Sequence, residues 1–185
     1  MIFYSHRQNN LPVKVSDKYA GVEFDVRNNR NCLVIHHEPI EELALPLFIY
    51  LQRLPEGIDL AINVKEQGLC SALYCMMEEF EGKFKSYFFF DMAFPDLMEY
   101  VEKCPEHTAV RLSEYEEDQA VFLRGKVEWV WVDYFENFEK MEDSNFMRNF
   151  EDNKVVVADP SLHGKDYSLD KLGFTPYGVC LDMKK

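Results

Sequence analysis

Short apolar runs recur along the 185-residue chain and alternate with segments that have helical spacing. Apolar runs with few polar interruptions are typical of strands that are buried on both faces of a parallel sheet. Eight such runs are marked by Ile2, Val22, Leu60, Tyr87, Ala109, Val130, Val156 and Val179. Eight strands separated by helical segments favour an α/β fold, specifically a closed (β/α)8 barrel of the TIM type.

The segments between these strands are short for such a barrel. Helices are expected over residues 41–54, 69–80, 94–103, 144–150 and 166–172, and the acidic residues 114–118 are expected to open another. The spacing is about 23 residues per unit, whereas TIM barrels usually have at least about 200 residues in total. We therefore predict one domain over residues 1–185, a compact TIM barrel with short or degenerate helices. An open doubly wound sheet is the alternative.

Polar side chains lie at the ends of most of these strands. His6, Asp91, Ser113, Asp133, Asp159 and Asp182 follow strand ends, and Glu23, Asp25, Asn63 and Lys65 lie near them. The carboxyl ends of barrel strands share one face, where barrel active sites are built. A single aspartate in this position is most often a helix N-cap, so the prediction of a site rests on the convergence.

The stretch 21–39 carries the densest candidate chemistry. Apolar and acidic residues alternate at its start, so Glu23 and Asp25 share one face of a strand. Two carboxylates held together raise each other's pKa unless a cation lies between them. A polar turn and a second short strand then return to His36 and His37. This pattern predicts a metal ion next to a base, with a solvent-facing hairpin as the alternative.

Three segments within the first 40 residues resemble a known signature. Ser5-His6-Arg7, Glu23-Phe24-Asp25-Val26 and His37-Glu38-Pro39 resemble the HRG, E-x-D-V and H-D-P motifs of the glycerophosphodiester phosphodiesterases. These enzymes belong to the PLC-like phosphodiesterase superfamily. Further on, Ile62-Asn63-Val64-Lys65 resembles the E-x-K motif on the family's third strand. Beyond these motifs the similarity rests on the alternation of strands and helical segments that is typical of a barrel.

The resemblance implies a metal-dependent reaction on a small phosphodiester of the glycerol-phosphate kind. It implies His6 and His37 as general acid and base, and Arg7 and Lys65 as phosphate-binding residues, with Arg111 as a further cation. The implied metal ligands are Glu23, Asp25 and Asn63, with Asp91 as a replacement for the carboxylate that Asn63 lacks. Oxygen ligands favour Mg²⁺ or Ca²⁺, and histidines exchange protons readily near neutral pH. His163, which follows another strand, is either a substrate contact or an ordinary loop histidine.

Departures from the family pattern leave other hypotheses open. Gln8 replaces the glycine of the first motif, the P-E-N-T loop is absent, and Asn63 is a neutral ligand. One residue is missing before His37, so His36 could take its role. The main alternative is therefore a catalytically impaired barrel that binds a phosphorylated ligand or a partner protein. An unrelated lyase or isomerase would need Lys65 as a Schiff-base residue, against which the neighbouring Glu66 argues.

Composition narrows the expected partners and location. The 33 acidic and 20 basic residues give a net charge of −13, which repels nucleic acid and anionic membranes, so neither is expected. A phosphodiester would need local cations that reverse this field. The five cysteines lack metal-binding spacing and indicate free thiols in a cytoplasmic protein without a signal peptide. A homodimer stays open, because short helices could leave apolar barrel surface exposed.

Overall fold

The computed structural model describes residues 1–13, 15–16, 18–39, 42 and 44–183, which contain ten strands. They are β1 (Ile2–Ser5), β2 (Gly21–Asn29), β3 (Cys32–Ile35), β4 (Leu45–Pro46), β5 (Asp59–Val64), β6 (Ser86–Phe90), β7 (Ala109–Leu112), β8 (Trp129–Val132), β9 (Lys154–Ala158) and β10 (Gly178–Leu181). All eight strand markers lie in strands. The other two strands, β3 and β4, extend the sheet beside β2 as antiparallel additions.

Strand pairing runs once around the barrel. β1 pairs in parallel with β2 and β10, β2 with β5, and β5 with β6. On the other side, β7, β8, β9 and β10 pair in parallel in that order. Among the described residues, β6 and the segment leading into β7 are joined by one bridge, between Phe89 and Thr108. The ring confirms the predicted α/β barrel and replaces the alternative of an open sheet.

The helices are as short as expected. They are α1 (Leu47–Arg53), α2 (Cys70–Glu78), α3 (Phe94–Lys103), α4 (Glu117–Leu123), α5 (Glu139–Glu142) and α6 (Ser144–Met147). Short 3₁₀ turns occupy Pro105–His107, Arg148–Phe150, Pro160–His163 and Leu169–Lys171. The helices expected over 69–80 and 94–103 are confirmed as α2 and α3. No helix in the described ranges is long and apolar enough to cross a membrane.

Two helix predictions are wrong in extent. The helix expected over 41–54 begins only at Leu47, because Leu45–Pro46 pairs with β3, and Glu41 and Leu43 lie outside the described residues. Proline disfavours helical backbone in the residue before it, which explains the late start. The helix expected over 166–172 is one 3₁₀ turn. There the Ser168 hydroxyl accepts the Asp170 amide, a local bond that competes with helix formation.

Large aromatic side chains fill the inside of this small barrel. Side chains alternate along a strand, so Phe88 and Phe90 point inward from β6 while Phe89 packs outward against Tyr100. The Phe88 ring stacks on Trp129 at 4.5 Å between centroids, and Phe90 stacks on Trp131 at 4.0 Å. This apolar filling separates the lower barrel from the polar residues at the carboxyl ends of the strands.

Candidate active site

A cavity of about 260 Å³ opens at the carboxyl ends of the barrel strands, and we call it the mouth cavity. Seven predicted site residues line it: His6, Arg7, Glu23, Asn63, Lys65, Asp91 and Arg111. The cavity is also lined by Phe90, Trp131, Asp133, Phe135, Ala158, Leu162 and His163. Two further predicted residues, Asp25 and His37, are not part of this lining, although each contacts a residue that is.

Glu23 and Asp25 are both buried at the strand that the sequence pattern predicted. Each is 2% exposed, and Glu23 accepts the Arg7 backbone N–H at 2.7 Å. Burial, together with the neighbouring Asp25 charge, raises the pKa of Glu23 to about 8. Glu23 therefore tends to hold a proton near neutral pH in the absence of a bound cation.

Hydrogen-bond donors surround the Asp25 carboxylate. The Asn9 side-chain amide donates to Oδ2 at 2.7 Å, and Asn9 Oδ1 accepts the Asp25 backbone N–H at 2.9 Å. Lys65 Nζ lies 3.3 Å from Oδ1, and Arg7 Nε lies 3.9 Å from Oδ2. This environment stabilises a buried negative charge at Asp25.

Charges of alternating sign continue from Lys65 along the wall of the cavity. Lys65 Nζ lies 3.6 Å from Asp91 Oδ2, and Asp91 also accepts a hydrogen bond from Arg111. Arg111 further donates to both Glu116 oxygens, at 2.5 and 3.0 Å. The Arg111 guanidinium is thus held between two carboxylates, and Arg7, with a half-exposed side chain, is the more accessible cation.

His6 lies at the cavity with one ring nitrogen fixed. Its Nδ1 is 2.8 Å from Asp182 Oδ1, and its Nε2 is 3.9 Å from Glu23 Oε2. Because an ionised carboxylate only accepts hydrogen bonds, we assign the proton to Nδ1. The Nε2 lone pair is then available for proton transfer in the neutral ring.

His37 contacts Arg7 rather than the mouth cavity. Its Nε2 lies 2.9 Å from Arg7 Nη2, and its Nδ1 lies 2.6 Å from Glu38 Oε1. Arginine can only donate, so Nε2 accepts and Nδ1 carries the proton. His37 and Arg7 line an adjoining cavity of about 390 Å³, and His36 lines it too. Arg7 therefore connects the two cavities.

The donor atoms around Glu23 fit a hard divalent cation. Asn63 lies opposite Asp25 in the β2–β5 pairing, and its buried Oδ1 has no hydrogen-bond partner among the described residues. With the Glu23 and Asp25 carboxylates, it offers three oxygen atoms of the type that Mg²⁺ and Ca²⁺ prefer. Within the described ranges, no three or more His, Cys, Asp or Glu side chains form a metal-binding group. Among the predicted ligands, Asn63 offers a neutral amide oxygen, whereas Asp91 is paired with Lys65 and Arg111.

Several contacts at the site were not predicted from the sequence. Asp182 and Asp133 were placed at strand ends, but their histidine partners were not predicted. Neither Asn9 nor Glu116 was assigned a role at the site: Asn9 lies in a loop without a periodic pattern, and Glu116 lies in the acidic stretch that was expected only to open a helix. Their roles follow only from the folded contacts with Asp25 and Arg111.

Comparisons with known proteins found two solved structures with a similar fold. No family model and no curated protein matches the chain. A structure from Agrobacterium tumefaciens strain C58, provisionally described as a glycerophosphoryl diester phosphodiesterase, matches with a TM-score of 0.65 at 11% identity. That match covers 97% of this chain and 92% of the other. A glycerophosphodiester phosphodiesterase from the same strain matches with a TM-score of 0.60 at 13% identity, over 85% of each chain.

These similarities establish the class of fold. The chain is a TIM barrel whose structure is similar to those glycerophosphodiester phosphodiesterases over almost its whole length. The resemblance drawn from the N-terminal motifs is thus confirmed at the level of the fold.

Proposed function

We propose that this protein is a phosphodiesterase that depends on a divalent cation and hydrolyses a small phosphodiester of the glycerol-phosphate kind. The observation that carries the proposal is the mouth cavity, where His6, Arg7, Glu23 and Lys65 meet at the face on which barrel enzymes build their sites. The fold shared with the two Agrobacterium structures supports the same assignment.

Three residues would hold the cation, and two would bind the phosphate. Glu23, Asp25 and Asn63 supply the oxygen donors described above. A bound divalent cation would polarise a phosphoryl oxygen of the substrate. Arg7 and Lys65 would bind the remaining phosphoryl oxygens. Inside the cavity, their positive charges would offset the repulsion between an anionic substrate and this acidic protein. Arg111 is a weaker candidate for phosphate binding, because its charge is shared between Asp91 and Glu116.

His6 would transfer a proton at its Nε2 atom. Asp182 fixes the ring tautomer and stabilises the imidazolium that forms when Nε2 takes a proton from the attacking water. We assign the second proton-transfer role to His37, which Arg7 links to the cavity. A phosphate that takes over the Arg7 hydrogen bond frees His37 Nε2, which can then take up a proton from solvent and donate it to the oxygen of the leaving alcohol.

Calorimetric titration of the metal-stripped protein with Mg²⁺ and Ca²⁺ tests the cation site. We expect heats that fit one site in the wild type and none in Glu23→Gln/Asp25→Asn, a change that preserves side-chain volume. The matched control is Glu81→Gln/Asp152→Asn, which alters two exposed acids and should bind metal as the wild type does. Absence of binding to the folded wild type at millimolar metal contradicts the proposal.

A second candidate is a barrel that binds a phosphorylated ligand without cleaving it. The observation that favours it is the neutralisation of Asp25 and Asp91 by Lys65 and Arg111, which leaves fewer free carboxylates for a metal ion. This candidate predicts metal-independent binding of glycerol 3-phosphate and no hydrolysis of any diester. Binding that requires the cation, accompanied by turnover, excludes it.

A further inference from the structure

A separate cavity of about 350 Å³ lies beside α2 and the amino end of β6, and we call it the α2 cavity. It shares no lining residue with the mouth cavity. Aromatic rings and carboxylates dominate its lining. The rings are those of Tyr74, Phe80, Phe84, Tyr87 and His107, and the carboxylates are those of Glu78 and Glu81. The proposed phosphodiester chemistry uses none of these side chains.

The rings of the α2 cavity are held in place but only partly buried. Tyr87 stacks on His107, with ring centroids 3.8 Å apart and an angle of 11° between the planes. His107 Nδ1 donates to the Tyr87 carbonyl oxygen at 3.1 Å, which fixes the orientation of the histidine ring. Phe80 and Phe84 lie 6.3 Å apart between centroids. Both of them, with Tyr74 and Tyr87, pack against the outer core and keep part of their surface exposed.

The carboxylates of the α2 cavity have no cationic partner of their own. Glu78 and Glu81 are exposed, and within the described ranges neither forms an ion pair. The Glu78 charge is the main cause that raises the pKa of Tyr74, so this carboxylate lies near the phenol group. Negative charge is therefore present next to the aromatic rings and is not balanced by the chain itself.

Lys83 already places an ammonium group beside two of these rings. Its Nζ lies 5.7 Å from the Phe80 centroid and 5.5 Å from the Phe84 centroid, within the range of a cation–π interaction. Lys83 does not line the cavity, because its Nζ donates to the carbonyl oxygens of Leu51 and Gln52 at 2.7 Å each. The rings thus suit a cation, and the cavity has room for one from outside the chain.

We propose that the α2 cavity binds a small alkylated ammonium ion. The rings of Tyr74, Phe84 and Tyr87 contact its alkyl groups and attract its charge through their negative faces. The carboxylates of Glu78 and Glu81 balance that charge. A divalent metal ion fits less well, because aromatic rings cannot replace the oxygen ligands that Mg²⁺ and Ca²⁺ require. This site is independent of the proposed phosphodiesterase function.

Titration with tetramethylammonium chloride, followed by the amide NMR signal of Gly82 in the cavity lining, tests the site. Sodium chloride keeps the ionic strength constant, and tert-butanol is the neutral ligand of similar shape. We expect tetramethylammonium to bind the wild type at least about tenfold more tightly than tert-butanol. Phe84→Leu and Glu78→Gln/Glu81→Gln should each weaken its binding by at least about fivefold. Tyr74→Leu replaces Phe84→Leu if that variant does not fold.

The matched control is Glu79→Gln/Glu102→Gln, which removes the same charge from two exposed acids that do not line the cavity. Its affinity for tetramethylammonium should lie within about twofold of the wild type, because salt screens distant charges. Equal weakening by both double variants would show only the general attraction of an acidic protein for cations, and it overturns the site. Equal binding of tert-butanol, unchanged binding in Phe84→Leu, or no saturable shift in the wild type also overturns it.

Discussion

Lys65 links the two carboxylates on which the charge of the mouth cavity depends. Its ammonium nitrogen lies 3.3 Å from Asp25 and 3.6 Å from Asp91, and its side chain is 18% exposed. Asp25 is almost completely buried, so its charge relies on neighbouring donors and cations in place of water. Removal of the ammonium group leaves that buried charge only partly compensated.

We predict that Lys65→Met lowers the free energy of unfolding by about 3 to 5 kcal/mol, the range expected when one partner of a buried ion pair is lost. Urea unfolding followed by circular dichroism measures the change. Lys154→Met is the control, because its ion pair with Glu128 is more exposed and should contribute less than about 1 kcal/mol. Equal effects of the two substitutions would show that Lys65 is not needed to balance Asp25.

At the scale of single residues, the sequence predicted which side chains share one face of a strand better than it predicted which residues form hydrogen bonds with each other. The alternation in β2 placed Glu23 and Asp25 together correctly, because side-chain direction follows from strand geometry alone. The hydrogen bonds from Asn9 to Asp25 and from His6 to Asp182 join residues far apart in the chain. The His6 contact depends on the pairing of β1 with β10, and the Asn9 contact depends on how a loop without periodic pattern packs beside β2; no local pattern encodes either.

Two loops at the barrel mouth are joined by one carboxylate. Glu114, which follows β7, accepts the backbone N–H groups of Phe135, Glu136 and Asn137 after β8. Partial burial raises the pKa of Glu114, but these hydrogen bonds outweigh it, and the net pKa lies below its ordinary value. The ionised form is thus favoured in the folded protein.

We predict a pH-dependent loss of stability in Glu114→Gln. A lowered pKa means that the stabilisation is fully present above the ordinary value of 4.5 and is lost as pH falls through the folded-state pKa. At neutral pH the variant should be less stable by about 1 kcal/mol. Urea unfolding at several pH values should show this difference shrinking below pH 4.5.

Glu136→Gln is the control for this loop, since Glu136 is exposed and contributes its backbone rather than its carboxylate to the contact. It should match the wild type at every pH. A difference between wild type and Glu114→Gln that stays constant as the pH falls would contradict the role assigned to the ionised carboxylate.

At the scale of elements, strands were predicted better than helix boundaries. Each barrel strand is a distinct apolar run, and α3 (Phe94–Lys103) matches the expected range because its apolar face repeats over ten residues. The start of α1 was missed, because Leu45 and Pro46 pair with β3 instead. The hydrogen bonding of a short edge strand outweighed the apolar spacing that favoured a helix.

The floor of the barrel depends on two glycines beside one aromatic ring. Tyr4 is fully buried, and a Cβ atom at Gly21 would lie 2.5 Å from its Cδ1 atom. A Cβ atom at Gly178 would lie 2.7 Å from Cε2 of the same ring. The neighbouring strands can thus approach the ring closely only because they have no side chain at these positions.

We predict that Gly21→Ala lowers the free energy of unfolding by about 1 to 3 kcal/mol, because the added methyl group overpacks a ring that has no room to move. Gly125→Ala is the matched control, since no described atom lies within 4 Å of the added carbon. It should change stability by less than about 0.5 kcal/mol. Denaturant unfolding of both variants measures these changes. An unchanged free energy of unfolding in Gly21→Ala would contradict the packing described for Tyr4.

At the scale of the whole molecule, an acidic protein would act on an anionic substrate. The chain carries a net charge of −13, yet Arg7, Lys65 and Arg111 all line the mouth cavity. Substrate binding then depends on local cations rather than on the overall field. Closure of the barrel is what gathers these residues from separate strands.

Phosphorus NMR of a glycerophosphodiester incubated with the protein and Mg²⁺ tests the proposed activity most directly. We expect the wild type to convert the diester signal into that of a phosphomonoester. We also expect His6→Asn to slow this conversion by at least about 100-fold, because a general acid–base group is lost. The proposed activity is contradicted if folded, metal-bound wild type forms no phosphomonoester, or if the rate of His6→Asn is unchanged.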